Sequence, residues 1–296
     1  MTQTAVGRIA SWRGRGAMLV SALVAIAAVP PRSPAAQEKD TTNKQIEPLF
    51  TSRDLVYGGI FVVGSVALLP LDKQIAKEIQ RPSNQTNRFL RRVATDFRLS
   101  SQPGALIIGG GLYAVGRLGE AVSPKNEILR RMADLGLHGT EAIVLATAAD
   151  EILKGVLGRA RPYVAGDTDA YNFAFGRGFR KGTPYQSFPS GHTVTGFAAA
   201  AAVTEETSRW WPKSTWIIGP IMYGGATMIG LSRMYNNAHW TSDVVMGAGL
   251  GALSGIKVVR YNHAHSNNRL DRILLNTAIV PTGDGGIAVA IAIPSP

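Results

Sequence analysis

The stretch Ser187–Val203, SFPSGHTVTGFAAAAAV, joins a proline turn to an alanine-rich apolar run. Ser190 and Gly191 stand just before a helix expected to begin near His192, where the first backbone N–H groups lack intrahelical partners. Those groups and the positive end of the helix dipole favour an anion, and a glycine lets it approach the backbone closely. His192 stands where it can give a proton to a departing oxygen. The plainer alternative is N-capping by Ser190. The run that follows makes about three turns of helix, with side chains small enough for close packing against neighbouring helices.

Working outward, this run is the fourth of six apolar segments: Leu55–Leu71, Gly104–Leu118, Leu137–Leu153, Thr193–Val203, Trp216–Leu231 and Val244–Val259. Most are rich in Ala and Gly, and none alone reaches the roughly 20 residues of a comfortable membrane span. The second is interrupted by a glycine triplet, and the third carries Glu141 and Asp150. The pattern predicts an all-α fold, a bundle of about six core helices set in a membrane by flanking extensions; a soluble helical domain is the alternative. Strand signals are confined to the C-terminus. Ile273–Val280 and Ile287–Ile293 flank PTGDGG and predict a short hairpin or a tail with β-prone ends.

The ends read differently from the middle. Residues 1–36 resemble a targeting segment, with Arg8, Arg13 and Arg15 ahead of the apolar run Ala17–Val29 and small residues at Ser33 and Ala35. An uncleaved N-terminal anchor is the alternative. A polar linker is assigned to 37–53, the helical domain to 54–262 and a tail to 263–296. The net charge is +11, from 31 basic and 20 acidic residues, and cleavage after Ala35 would lower it to +7. No nucleic-acid module accompanies this charge, which points to a phosphorylated small molecule or lipid as the partner. The absence of cysteine excludes disulfides, thiolate catalysis and Cys-ligated metal centres.

Two further clusters hold most of the remaining unusual polar residues. In KGVLGRARP (Lys154–Pro162), Lys154 and Arg161 are seven apart, which on a continuous helix places both on one face. Pro162 is expected to end that helix at Arg161. In SRMYNNAHWTSD (Ser232–Asp243), His239 and Asp243 are four apart and adjacent if both are helical, so the carboxylate could hold one ring nitrogen and free the other. Arg233 adds a guanidinium suited to phosphate oxygens. Each cluster alone has an ordinary reading, as a dipole-satisfying helix end or a packed histidine with a surface ion pair. Together they gain weight by parity. Two apolar segments separate the second cluster from the third, so an up-down bundle returns both to one end, where the first also lies.

The joint pattern resembles the type 2 phosphatidic acid phosphatase (PAP2) and vanadium haloperoxidase superfamily. It rests on Lys154 with Arg161–Pro162, on Pro189–Ser190–Gly191–His192, and on Ser232–Arg233 with His239 and Asp243, within a motif core at 137–259. The resemblance implies His239 as nucleophile, Asp243 as its orienting carboxylate and His192 as general acid. It implies phosphate binding by Lys154, Arg161, Ser190, Gly191 and Arg233. It implies no metal and no cofactor, with vanadate as an inhibitor in the phosphate site.

The function expected is a metal-independent phosphatase of the cell envelope acting through a phosphohistidine. Its expected substrate is a lipid phosphate such as phosphatidate, phosphatidylglycerophosphate or a polyprenyl diphosphate. A soluble periplasmic acid phosphatase of broad specificity is the main alternative, ahead of a vanadium-dependent haloperoxidase or a non-catalytic lipid-binding relative. The family generally works on the external face. Here the loop Asp72–Pro103, with seven basic and three acidic residues, favours the cytoplasmic side, so orientation stays open at this point.

Overall fold

The computed structural model describes residues 51–99, 101–164, 169–265, 277–281 and 287–291. The targeting segment 1–36, most of the polar linker and the rest of the tail lie outside the described residues.

Every one of the six apolar runs is the centre of a longer helix. They become α1 (Ser52–Ile79), α4 (Gln102–Val122), α5 (Glu127–Leu157), α7 (Gly191–Trp210), α8 (Thr215–Tyr235) and α9 (Thr241–Ala264). Polar flanks supply the extra turns. Thr51 caps α1, its backbone N–H donating to Asp54 at 2.7 Å, and Asn126 accepts the Ile128 N–H at 3.0 Å to start α5. The segment 72–103, read from sequence as a loop, is instead largely helical. It contains the last turns of α1, the short α2 (Pro82–Gln85) and the basic α3 (Arg88–Leu99). Four arginines broke up the apolar content of α3, yet its remaining apolar residues recur at helical spacing. A further short helix, α6 (Arg177–Lys181), precedes α7.

Helix α7 is the axis of the bundle, packed by α5, α8 and α9, with α1 outside α9 and α4 outside α5. Its alanines at 198, 200, 201 and 202 and Phe197 are buried. Contact with α9 is close because Gly247, Gly251 and Gly255 recur every four residues on the face toward α7. A Cβ at Gly255 would lie 2.5 Å from the Ala198 carbonyl, one at Gly247 2.8 Å from that of Ser190, and one at Gly251 would overlap that of Val194. This small-residue ridge lets two backbones meet, as in membrane helix pairs.

Among the described residues three helices are long and apolar enough to cross a membrane: Ser52–Ile79, Pro103–Val122 and Thr241–Ala264. The first two turn large apolar side chains outward, with Leu55 71%, Val63 68% and Ile107 71% exposed. Such continuous exposed apolar faces belong to a protein bathed in lipid, and this is a membrane protein. At the C-terminus, β1 (Thr277–Pro281) pairs antiparallel with β2 (Ile287–Ile291), Thr277 opposite Ile291, in the two segments expected to be β-prone except that β1 runs one residue further, to Pro281.

Candidate active site

Helix α5 stops four residues earlier than Pro162 suggested. Gly158 adopts a left-handed conformation (φ 54°), and a side chain there would overlap the Ala174 carbonyl. Lys154 therefore sits in the last helical turn while Arg161 lies beyond it, so the two do not share a helix face. The chain instead turns across the bundle end, with Ala160 N–H bonded to Asn172 O at 3.0 Å and Arg161 N–H to Pro184 O at 2.9 Å. Lys154 is buried and held by Asp150 at 2.6 Å and Glu151 at 2.7 Å.

Between them Arg159, unremarked in the sequence, is fully buried and ties the site together. Its guanidinium bonds Asp72 of α1 at 2.8 Å, Ser242 Oγ at 2.7 Å, the carboxylate of Asp243, and the Ala170 carbonyl at 2.6 Å. Phe173 and Trp240 flank it, 4.9 and 5.5 Å from their ring centres. One buried cation shared by two buried carboxylates is sustained only because nearly every donor and acceptor is used.

His239 precedes the Trp240 cap of α9 rather than lying in the helix, so it does not share a helix face with Asp243. Asp243 occupies the third helical position and accepts the Trp240 N–H at 2.8 Å and the Ser187 hydroxyl at 2.5 Å. The His239 Nδ1 is 3.6 Å from the Asp243 carboxylate but only 2.7 Å from the Ser187 carbonyl. A carbonyl can only accept, so Nδ1 carries the proton and Nε2 keeps its lone pair. Arg161 Nη1 lies 3.4 Å from that Nε2. Burial, reinforced by Arg161, Arg233 and Lys154, holds the His239 pKa well below its ordinary 6.5. The ring is therefore neutral, with a free nitrogen.

The remaining residues face the same point. His192 opens α7 and feels Arg233, His239, Lys154 and Arg161; burial first, then these charges, press its pKa down to about 3. Ser190, at the N-cap, makes no capping bond with its side chain. Its Oγ accepts the Thr193 hydroxyl at 2.9 Å, which leaves its own proton to donate. Arg233 is buried, and its Nε has no hydrogen-bond partner among the described residues. Such an orphaned cationic donor is matched to an anionic ligand. Arg161 and Arg233 line an open cleft of ≈ 380 Å³ together with Thr95 and Arg98 of α3, Tyr163, Asn236 and Ala238. A second cleft, ≈ 260 Å³, lies at Ser52, Arg53, Val56 and Tyr57, away from these groups.

Two histidines, three cationic side chains and a helix N-terminus thus meet at one end of the bundle. Residues 137–266 match the PAP2 superfamily. The match takes in all three polar clusters. A lipid A 1-phosphatase of Porphyromonas gingivalis is 40% identical over 94 residues, 31% of this chain and 20% of that protein. An undecaprenyl-diphosphatase of Sulfolobus acidocaldarius is 25% identical over 148 residues, 50% of this chain and 65% of its own. A lipid A 1-phosphatase of Rhizobium johnstonii is 32% identical over 120 residues, 40% and 44% respectively. The chain therefore spans less than two thirds of each of these relatives. The crystal structure of a transmembrane PAP2 type phosphatidylglycerolphosphate phosphatase from Bacillus subtilis aligns with a TM-score of 0.48 and 21% identity, over 72% of this chain and 97% of that one.

This end of the bundle brings together all eight residues singled out in the sequence. The structure adds Arg159, Asp72, Ser187 and Arg98. Arg159 stood inside the first cluster, and Asp72 was a lone carboxylate directly after an apolar run, a signal that could have been read. Ser187 acts through its backbone carbonyl, which sequence does not mark.

Proposed function

We propose that the chain is a phosphatase of lipid-linked phosphate or diphosphate groups, working through a phosphohistidine on His239. The observation that carries this is the neutral, tautomer-fixed His239, whose Nε2 faces Arg161 beside the unpaired Nε of Arg233. Nε2 attacks phosphorus opposite the leaving oxygen; an N–P bond forms as the P–O bond breaks, and His192 gives that oxygen its proton. Water then attacks phosphorus, the N–P bond breaks, and the proton lost by water returns to His192, releasing inorganic phosphate. Lys154, Arg161, Arg233, the Ser190 hydroxyl and the Gly191 N–H hold the equatorial oxygens, where fixed charge is worth most in a site shielded from water. Asp243 acts on His239 through Ser187 and by its charge.

His192 is neutral before substrate arrives. A phosphate dianion cancels the field of the cations around it and lets it hold the proton it must give away. Vanadate, taking the place of the transferred phosphoryl group, inhibits. The three apolar helices, and relatives acting on lipid A phosphate and undecaprenyl diphosphate, support a substrate presented from a bilayer. In this reading the site opens on the periplasmic side. The basic residues of 72–103 count less against that than their number suggests, because Arg98 lines the cleft.

The test is a release assay on detergent-purified protein, comparing a lipid-linked monophosphate, a lipid-linked diphosphate and p-nitrophenyl phosphate. Lipid substrates turned over with far higher kcat/KM support the proposal. Full activity in His239→Ala, or preference for the soluble ester, overturns it.

A further inference from the structure

At the far end of the bundle a second polar cluster takes no part in the chemistry above. It joins His138 of α5, Glu206 of α7 and His263 of α9. His138 stands sixteen residues before Lys154 on α5, which at helical rise is about 24 Å from the catalytic end. Glu206 is fully buried and His138 nearly so, whereas the His263 side chain is 29% exposed. His138 Nδ1 lies 3.2 Å from Glu206 Oε1, and His263 Nε2 lies 3.0 and 2.7 Å from the two carboxylate oxygens. The two rings meet edge to face at 5.3 Å. The three ligand atoms all fall within 4.8 Å of one another.

We propose that His138, Glu206 and His263 form a binding site for a divalent transition-metal ion, of which Zn²⁺ is the best match. Two imidazoles and a carboxylate are a donor set suited to ions of borderline softness, unlike the all-oxygen shells of Mg²⁺ and Ca²⁺. Tetrahedral bonds of ~2.0–2.1 Å put donor atoms about 3.3 Å apart. Both histidine–carboxylate separations are already near that value, so closing the site needs only a turn of the partly exposed His263. Its open side gives the ion an entry path and room for a water as fourth ligand. The charge also fits. Asp134 lies in the field of all three ligands, so two carboxylates face the site, offset only in part by Arg209 near Glu206. Each imidazole binds the ion through one ring nitrogen in its neutral form, keeping a proton on the other and releasing any further proton to solvent. The ion would clamp three bundle helices at the end opposite the catalytic one.

The experiment is Zn²⁺ titration calorimetry on the full chain, free of any polyhistidine tag, stripped with chelator and held in detergent. Co²⁺ absorption serves as a second probe of ligand geometry. The expected result is one ion per chain, a Zn²⁺-dependent rise in melting temperature, and tetrahedral Co²⁺ bands. His263→Ala and Glu206→Gln should each weaken binding by at least about tenfold, the effect documented even for lost outer-shell partners. His239→Ala and His265→Ala, which remove other histidines, should leave it unchanged. Because His263 is partly exposed, its variant is expected to fold, and an unchanged helical CD spectrum checks this. Absence of saturable binding near one equivalent overturns the proposal. So does binding that survives His263→Ala or vanishes in His239→Ala. The outcome is independent of phosphatase activity.

Discussion

His239 donates its Nδ1 proton to the Ser187 carbonyl at 2.7 Å, so a main-chain atom, not a carboxylate, decides that Nε2 keeps its lone pair. Because a side-chain substitution cannot delete that carbonyl, the tautomer should survive changes at Asp243. Asp243→Asn should therefore leave KM within about threefold and lower kcat by roughly 10²-fold, through lost charge beside the developing imidazolium and a weakened Arg159 clamp. His239→Ala should lose at least about 10⁴-fold, as removal of a nucleophile does. Steady-state kinetics of both variants decide the order; equal losses would mean that Asp243 orients the ring directly.

Proton linkage gives a second expectation. The free protein holds His192 at about 3, so at pH 7 it is unprotonated. A bound dianion favours the charged form and raises that pKa, so binding takes protons up from solution. Calorimetry of phosphate binding at pH 7 in buffers of different ionisation enthalpy should show net uptake in the wild type. His192→Gln should abolish it. The sign also reaches stability: a histidine depressed on folding binds its proton more readily unfolded, so its contribution is lost as pH falls below about 6.5.

Arg98, on α3, lines the cleft beside Arg161 and Arg233, whereas the cations in the field of His239 are Arg161, Arg233 and Lys154. It is placed for the outer part of a substrate, a second phosphate or a headgroup anion. Arg98→Ala should raise KM for a lipid diphosphate by about three- to tenfold with kcat nearly unchanged, and affect a monophosphate less. Equal effects on both substrates would count against an outer subsite.

The glycine ridge of α9 supplies a test of packing rather than chemistry. Gly251→Ala places a methyl group against the Val194 carbonyl and forces α7 and α9 apart. We expect a destabilisation of about 2 kcal/mol, read as a lower melting temperature in detergent. Gly224→Ala, on α8 with open space around its would-be Cβ, should be nearly neutral and is the control.

The helices and the residues of the candidate site were legible because apolar runs and three polar clusters are local signals. What the sequence hid was where the helices stop. Lys154 and Arg161 meet across a left-handed Gly158, not along a helix face, and His239 reaches its place from outside α9. Both outcomes depend on tertiary bonds: the Asn172 and Pro184 carbonyls in the first case, the capping carboxylate of Asp243 in the second. Helix α3 escaped notice because its arginines mask the apolar content, and Asp72 because its partner Arg159 lies 87 residues away.

Helix α7 is walled in on three sides, and α9 touches it backbone to backbone. The beam that presents His192 therefore has almost no freedom to change girth without moving the polar groups at its end. Any retuning of which headgroup is accepted must be carried by parts that can vary without repacking the interior. Here those are α3, with Arg98 at its end, and the loops leading from Arg161 to Ser187. The fold thereby separates a buried polar centre that tolerates little alteration from a rim on which, if the proposed activity holds, specificity can be rewritten.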